Sequence, residues 1–272
     1  MPPPLPTRSA DEHDARALAE IEASLFHNIN VTERQKVHES QTKDKHTLYN
    51  VLLENQSGIV GFISLQPRYV DTSSEKSCLW PGLDGNEVLT KLAAGQMPTN
   101  QLLDLAIREH HSLKGADFLF VPSLCVVKDE QKKGYGTNLL TKAKVVADQT
   151  QTMIILLAEG TVLEAAQEFR KAAMKDQEDA GAEKDKEVQA YNLNDAKERL
   201  EVAEKALKKE EYSSSSSSVR VPAEFYLKRG FETHGHILWP RAESSRELSG
   251  VPHIYHIMEY NPPKALASLR KD

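Results

Sequence analysis

The sequence Gln-Lys-Lys-Gly-Tyr-Gly-Thr, residues 131–137, places two lysines and two glycines directly before a helical pattern. Backbone N–H groups at the start of a helix carry a partial positive charge of roughly half a unit. Glycine lets an anion approach these groups without side-chain obstruction, and Lys132 and Lys133 add formal positive charge beside them. The run is therefore suited to hold a phosphate or pyrophosphate, but a glycine-assisted turn with two solvated lysines fits the same residues.

The spacing of the glycines excludes two well-known phosphate loops. The run has no G-x-x-x-x-G-K-[ST] pattern, and a Rossmann G-x-G-x-x-G/A pattern would need a small residue where Leu139 stands. Gly134 and Gly136 alone are weak evidence for an anion site. Whether the turn forms such a site therefore depends on the elements on either side of it.

The turn lies between elements that could position it. Residues 117–127 have the composition of a strand, with an irregularity or an edge expected at Pro122 because proline cannot donate to the ladder. Residues 137–149 have helical spacing, and residues 153–158 form a continuous apolar run typical of a strand covered on both faces. Strand, helix and strand in this order predict a parallel crossover.

Further elements are predicted towards the N-terminus. Residues 11–26 have helical spacing, and Thr32 with Gln35 fits a capping box that opens a second short helix. Two β-rich runs flank a four-residue turn that ends in glycine, which predicts a hairpin over residues 48–67. Residues 70–98 lack a clear period and are predicted to be mostly loop.

Residues 162–212 differ in character from the rest of the chain, because they are rich in charge and poor in large apolar side chains. Apolar residues recur there at three- and four-residue spacing, a narrow heptad-type seam typical of a coiled coil. A charged helical hairpin that projects from the fold and a disordered segment with transient helix both fit this composition. A serine run links the segment to the remainder of the chain. The seam consists of Leu193, Ala196, Leu200, Ala203 and Leu207.

Composition limits the class of protein. The chain has 272 residues, a net charge of −6 and two cysteines, Cys78 and Cys125. Two cysteines cannot form a disulfide framework or a four-thiolate zinc site, and the acidic balance argues against a nucleic-acid partner. No apolar run approaches the roughly 18 residues that span a membrane, and the N-terminus does not look like a signal peptide. These features predict a soluble protein of the cytoplasm, with the nucleus as the alternative, and no membrane partner.

Two motifs resemble those of one enzyme family. Gln131-x-x-Gly134-x-Gly136 matches the Q/R-x-x-G-x-G/A acyl-CoA signature of the GNAT superfamily of N-acetyltransferases, and Leu124-x-Val126 precedes it at the family's spacing. Residues 223–231 resemble the family's later A-x-x-F-Y-x-K-x-G-F element, although Ala223 stands one residue closer to the Phe-Tyr pair. The motifs occur in the family's order. Within the family, the sequence looks most like the arylalkylamine and related small-amine branch.

This resemblance implies an α/β fold with a mixed central sheet that splays open after Val126. A charged helical insertion interrupts the domain that has this fold. Acetyl-CoA, the implied cosubstrate, would lie in the split, and no metal would be needed. Backbone groups of three strand residues would pair with the pantetheine arm and the acetyl carbonyl, while the glycine turn would hold the pyrophosphate. The implied cofactor-binding residues are Leu124, Cys125, Val126, Gln131, Lys132, Lys133, Gly134, Tyr135, Gly136 and Thr137.

The resemblance also implies catalytic roles. Tyr226 stands where the family commonly has a tyrosine that protonates the leaving thiolate. Glu159, just past the apolar strand, is near the expected amine site and could act as a base through water, but it also fits an ordinary carboxylate at the end of a strand. The arylalkylamine enzymes have histidines where this chain has Phe120 and Pro122, so that relay is missing.

The predicted organisation is one acetyltransferase domain, residues 9–161 and 219–262, with an insertion at residues 162–218. Residues 1–8 are predicted to be loose and residues 263–272 to form a tail. The predicted function is acetyl transfer from acetyl-CoA to a primary amine, either a small molecule such as an arylalkylamine or polyamine, or a protein amine. The alternative is a non-catalytic acyl-CoA-binding protein that binds a partner through residues 162–212. We expect deletion of the insertion to leave a folded, CoA-binding domain.

Overall fold

The structure is a computed structural model that describes residues 6–25, 30–43, 48–54, 58–71, 76–79, 98–109, 116–183, 186–213, 222–239 and 251–263. The chain divides into two compact units, which are described separately. The first consists of Met1–Leu157 and Glu259–Asp272, and the second of Ala158–Met258.

The first unit contains a mixed sheet. Its strands are β1 (Thr7–Arg8), β2 (Leu48–Glu54), β3 (Gly58–Asp71), β4 (Lys76–Leu79), β5 (Asp117–Val126) and β6 (Met153–Glu159), whose last two residues belong to the second unit. They lie in the order β1-β2-β3-β5-β6, with β4 paired to β3. Their pairs are antiparallel except β5 with β6, which is parallel as the predicted crossover requires. The predicted hairpin is confirmed as β2 and β3.

Two details of this sheet differ from the prediction. Thr7 and Arg8, at the end of the segment predicted to be loose, form β1 because they pair with Val51 and Leu52 of β2. Strand β4 lies within the segment predicted to be mostly loop, and it continues the sheet from the long end of β3. Neither strand has a clear local pattern, since β1 has only two residues and β4 only four.

Four helices belong to the first unit: α1 (Ala15–Leu25), α2 (Val31–Lys43), α3 (Pro98–Glu109) and α4 (Tyr135–Thr150). The capping residue predicted for α2, Thr32, is wrong. Asn30, and not Thr32, starts α2, because the Asn30 side chain accepts hydrogen bonds from the backbone N–H groups of Thr32 (3.0 Å) and Glu33 (3.2 Å). Thr32 is already the second residue of the helix.

Helices α1 and α3 cover the same face of β3 and β5. Leu18 and Ile21 of α1 pack in one cluster with Phe62 and Cys125. A second cluster joins α3 to the other end of both strands. It contains Val70, Leu103, Ile107, Phe118, Phe120 and Ile155. Apolar residues spaced three and four apart on these helices explain why each buries one stripe against the sheet.

A β-bulge interrupts β5 at the predicted position. Ser64 of β3 pairs with Ser123, but Gln66, two residues further along, pairs with Phe120. Val121 and Pro122 therefore stand opposite the single residue Leu65. The extra residue keeps Phe120 and Ser123 on the same face of the sheet although they are three positions apart.

The second unit contains a helical pair, a short helix and the remaining strands. Helices α5 (Val162–Gly181) and α6 (Lys186–Ser213) occupy the charged segment. Contacts of Gly181 with Gln189, and of Asp176 with Arg199, show that the helices run antiparallel. Helix α7 (Pro222–Leu227) follows, and β7 (Glu232–Trp239) and β8 (His253–Tyr260) are neighbouring strands. The last two residues of β8 belong to the first unit.

The helical pair packs through alanines, and its base packs against a strand. Ala166, Ala173, Ala196 and Ala203 are buried, so the seam is narrower than one built on leucines. Ala165, Ala166 and Ala206 form a cluster with Val251 and Ile254, partly covered by Val202, Leu207 and Leu238. The serine run beyond Ser213 and the tail beyond Pro263 lie outside the described residues.

Candidate functional site

Strand β5 has an open edge beyond its bulge. The pairing of β5 with β6 ends at Val121 and Leu156, while β5 continues to Val126 and β6 to Glu159. The expectation that the sheet opens after Val126 is wrong by five residues, because the parallel ladder already ends beside the bulge. Leu124–Val126 therefore pair with β3 on one edge only.

The glycine turn lies directly after this edge and is tied to it. The Gln131 side chain donates a hydrogen bond to the Val126 carbonyl oxygen (3.1 Å), so Gln131 connects the turn to the strand end. Lys132 has a φ of 65° and Gly134 a φ of 92°, which reverse the chain before α4 starts. Only a residue without Cβ adopts the Gly134 conformation without strain.

Backbone donors at this turn remain available for a ligand. Helix α4 begins with Asn138 donating its N–H to the Gly134 carbonyl, at 3.0 Å, and the cap residue supplies no side-chain hydrogen bond. Within the described residues, the N–H groups of Lys132, Gly134, Tyr135 and Gly136 have no acceptor. Such orphan donors at a helix start are suited to an anion.

The two lysines of the turn differ in their surroundings. Lys133 forms an ion pair with Glu130 (2.8 Å), whereas the side chain of Lys132 is exposed. The Tyr135 ring is buried, so its backbone, and not its side chain, faces the turn. The structure thus brings together all ten implied cofactor-binding residues in the first unit, within one strand end, one turn and one helix start.

A buried carboxylate lies on the α1 side of the same strand. Glu22 accepts hydrogen bonds from Ser123 Oγ (2.5 Å) and Arg34 Nη2 (2.9 Å) at Oε1, and from Arg34 Nε at Oε2. His38 Nε2 lies 3.1 Å from Oε2. The cluster joins α1, α2 and β5 just beyond the bulge.

The charge state of this cluster follows from its contacts. Burial raises the pKa of Glu22, but hydrogen bonds from Arg34 and His38, together with the Arg34 charge, outweigh burial and lower the pKa to about 2. Burial lowers the pKa of His38 against the opposing effect of Glu22. Burial also raises the pKa of the Cys125 thiol, and the Glu22 charge adds to this effect. Cys125 is thus a protonated core residue and not a nucleophile.

The sequence contained only a weak signal for this cluster. Glu22 stands four positions after Leu18 and one after Ile21, on the buried side of α1, and a charge on an apolar stripe indicates a buried partner. Its partners could not be read from spacing, because Ser123 is 101 positions away. Local sequence patterns therefore do not predict the cluster of Glu22, Arg34, His38 and Ser123.

Glu159 and Tyr226, the implied catalytic residues, both lie in the second unit. The Glu159 carboxylate Oε1 lies 2.6 Å from His253 Nδ1, and both side chains are partly exposed, at 47% and 30%. The pairing of Glu159 with His253 was not predicted from the sequence, since the two residues are 94 positions apart. A carboxylate on Nδ1 fixes the imidazole tautomer and leaves Nε2 as a proton acceptor.

The Tyr226 ring packs against its neighbours in the later motif. It meets Phe225 and Phe231 edge to face, with ring centroids 5.1 Å and 5.7 Å apart. Its carbonyl accepts hydrogen bonds from the N–H groups of Arg229 (2.8 Å) and Phe231 (3.3 Å), which end α7. The motif therefore fixes the Tyr226 backbone and ring through contacts internal to residues 222–231.

The described residues contain neither a candidate metal site nor a candidate membrane span. Within that part of the chain, no group of three or more histidine, cysteine or acidic side chains could hold a metal ion. No helix among the same residues is both long enough and apolar enough to cross a membrane.

Comparison with known proteins gives likenesses of fold at low identity. No protein-family model and no curated protein matches the sequence. Arabidopsis thaliana NAA60, solved with a bisubstrate analogue, is similar with a TM-score of 0.48 and 9% identity over 96% of this chain and 99% of that chain. An aminoglycoside 6'-N-acetyltransferase with coenzyme A has a TM-score of 0.48 and 12% identity, over 96% and 99% of the two chains. The GNAT-like decarboxylase GphF, with isobutyryl-CoA, has a TM-score of 0.48 and 16% identity, over 94% and 98%.

Because these TM-scores are below 0.5, an activity can be inferred only from the residues of the site and not from the similar structures. The predicted fold is confirmed by the elements of the chain: the strand order, the parallel β5-β6 pair that opens beside a bulge, and the glycine turn before α4. The chain therefore has the mixed α/β fold that the sequence predicted.

Proposed function

We propose that this protein is an N-acetyltransferase that transfers the acetyl group of acetyl-CoA to a primary amine within a ternary complex. The open edge of β5, followed directly by the donor-rich turn before α4, carries the proposal. Both features lie within the first unit and are joined by the Gln131 side chain. They offer neighbouring sites for a peptide-like arm and for a pyrophosphate.

The residues of this edge and turn fit the two parts of acetyl-CoA. The pantetheine arm contains amide groups, which can pair with backbone groups of Leu124–Val126 where β6 does not pair with them. The pyrophosphate would accept hydrogen bonds from N–H groups of residues 132–137, with the Lys132 charge nearby. The bond from Gln131 to Val126 would keep these two subsites in register.

The transfer itself requires one bond to form and one to break. The amine nitrogen attacks the thioester carbonyl carbon, a C–N bond forms, and the C–S bond breaks as the sulfur leaves with the electron pair. The nitrogen loses a proton and the thiolate gains one. Proximity in the ternary complex and a backbone N–H donor to the carbonyl oxygen would supply most of the acceleration.

We propose Tyr226 as the acid that protonates the thiolate. Support comes from its place in the later family motif and from the packing of its ring, which restricts the side chain. A Tyr226→Phe variant keeps this packing and removes only the hydroxyl. We expect it to bind acetyl-CoA normally and to lose turnover by about 100-fold, measured as release of free CoA thiol.

We propose that Glu159 acts as the base together with His253. The 2.6 Å contact makes the pair a positioned unit, and imidazole is the side chain best suited to exchange protons at neutral pH. Replacing His253 by Gln should lower kcat and leave the Kd for acetyl-CoA unchanged. Replacing Glu159 by Gln should lower kcat less, because the imidazole of His253 remains. Wild-type turnover in both variants would contradict this assignment.

The acceptor is a primary amine, and the net charge of −6 favours a cationic one. Small amines, including arylalkylamines and polyamines, and protein amines are the classes to test. A wild-type protein that binds acetyl-CoA but is inert towards all of them would support the alternative, a non-catalytic acyl-CoA-binding protein of the cytoplasm or nucleus whose helices α5 and α6 bind a partner.

A further inference from the structure

Two buried serines face each other across β3 and β5 but differ in their hydrogen bonds. Ser64 and Ser123 are direct partners in the ladder and are exposed by only 1% and 7%. Ser123 Oγ donates to Glu22 Oε1 at 2.5 Å. Ser64 Oγ has no hydrogen-bond partner among the described residues. The pair therefore contains one serine that is bound to a carboxylate and one matched serine that is not.

The carboxylate that holds Ser123 is itself held in place. Arg34 binds both Glu22 oxygens, and His38 contacts Oε2. His38 also packs edge-on against Phe62 of β3, with ring centroids 5.6 Å apart. A buried polar network in which each oxygen has partners is rigid. Glu22 is thus a fixed anchor point that α1 and α2 present to β5.

The Ser123 hydrogen bond acts where β5 has little other support. Beyond Val121 the strand lacks its β6 neighbour, so within the described residues its only ladder partner there is β3. The bulge also interrupts the ladder immediately before Ser123. On the α1 face, the side-chain contacts beyond the bulge include the Ser123 hydroxyl on Glu22 and the packing of Cys125.

We propose that Ser123, anchored by Glu22, is a positioning residue for the acyl end of acetyl-CoA. Its hydrogen bond sets the rotation of β5 just beyond the bulge, and so the direction in which the backbone of Leu124–Val126 faces the open edge. The nucleotide end is held by the turn before α4, which has its own support from Gln131 and Gly134. This inference rests on the proposed use of the edge and the turn.

The test compares two ligands and matched variants of the full chain. The variants are Ser123→Ala, Ser64→Ala and Ser123→Thr, which keeps the hydroxyl. The ligands are acetyl-CoA and ADP, which carries the pyrophosphate but lacks the pantetheine arm. We expect Ser123→Ala to raise the Kd for acetyl-CoA about tenfold, because the hydrogen bonds of the hydroxyl with Glu22 and Arg34 are lost, and to leave the Kd for ADP unchanged.

The other two variants should keep the wild-type Kd for both ligands. The Ser64 hydroxyl makes no hydrogen bond within the described residues, so its loss in Ser64→Ala removes none. Ser123→Thr keeps a hydroxyl that can donate to Glu22. If Ser123→Ala does not fold, Ser123→Cys, with a weak donor at the same place, carries the same comparison. Equal weakening of both ligands, or an unchanged Kd for acetyl-CoA, would overturn the inference. Wild-type protein that binds neither ligand would instead overturn the proposed function on which it rests.

Discussion

Glu22 is a carboxylate within the core whose charge is kept by Arg34, His38 and Ser123. A buried charge is tolerated only when it is paired and hydrogen-bonded, and removing one partner leaves the other uncompensated. The pKa of about 2 expresses this balance. The same residue therefore links the stability of the first unit to pH.

Glu22 should make unfolding free energy depend on pH in the acidic range. Folding lowers the pKa of Glu22 from 4.5 to about 2. Its contribution to the free energy of unfolding is therefore complete above the unfolded-state pKa of 4.5, and it is lost as the pH falls towards the folded-state pKa of about 2. The loss from about pH 6 to about pH 3 amounts to roughly 2 kcal/mol. Urea unfolding at both values should show that a Glu22→Gln variant is less stable at the higher pH and lacks this share of the pH dependence.

Glu20→Gln is the matched control for this prediction. Glu20 lies on the same helix, and its exposed side chain pairs with Arg16. Surface ion pairs contribute little to stability, so this variant should follow the wild-type curve. Parallel curves for wild type and Glu22→Gln would contradict the account of the buried cluster.

Gly134 precedes the first residue of α4 and has a left-handed backbone conformation, with a φ of 92°. An added Cβ would meet no atom of the described residues within 4 Å, so Gly134→Ala should be strained by about 1 kcal/mol through its backbone alone. We expect a folded protein with weakened acetyl-CoA binding, measured by titration. Gly58→Ala, where a Cβ also meets no atom and φ is not positive, is the control and should bind normally.

At the scale of elements, the bulge in β5 determines what the strand presents. It turns Ser123 and Cys125 towards α1 and lies where the ladder to β6 ends. A single proline was enough to predict an irregularity, because proline has no N–H to donate. The number of residues in the bulge, and the point where β6 separates, could not be predicted, since both depend on the register with β3 and β6.

Gly61 allows β3 to approach β5 closely beside the open edge. A Cβ there would lie 2.6 Å from the carbonyl oxygen of Cys125 and 3.2 Å from the Val126 Cα, both backbone atoms. Gly61→Ala should therefore displace the edge, lowering the free energy of unfolding by about 1–3 kcal/mol and weakening acetyl-CoA binding. Chemical unfolding and ligand titration measure the two effects. A variant that loses stability but binds acetyl-CoA normally would show that the edge is not used.

At the scale of the whole molecule, local patterns predicted much of the fold and little of the polar site. The hairpin, helix α4 and the parallel crossover each follow from spacing within one or two elements. Glu22 with Ser123, and Glu159 with His253, join residues 101 and 94 positions apart. Such pairs are created by topology, and no periodicity in a single sequence reports them.

The base of the α5-α6 pair changes how the insertion should be tested. Ala165 and Ala206 pack with Val251 and Ile254, so deletion of residues 162–218 would expose apolar groups of β8. Replacing only residues 177–195 by a short turn keeps this packing. We expect the shorter deletion to keep the wild-type unfolding midpoint and acetyl-CoA affinity, and the longer one to lower the midpoint. Equal midpoints for both would show that the whole insertion is independent of the core, as the sequence suggested.

The most direct test of the central claim is a turnover measurement with the full-length protein. Acetyl-CoA is supplied together with polyamines, aromatic amines or lysine-containing and N-terminal peptides, and release of free CoA thiol is followed with and without each amine. We expect amine-dependent release for at least one class and its loss in Tyr226→Phe. Acetyl-CoA binding without amine-dependent release from any class would contradict the proposed enzyme.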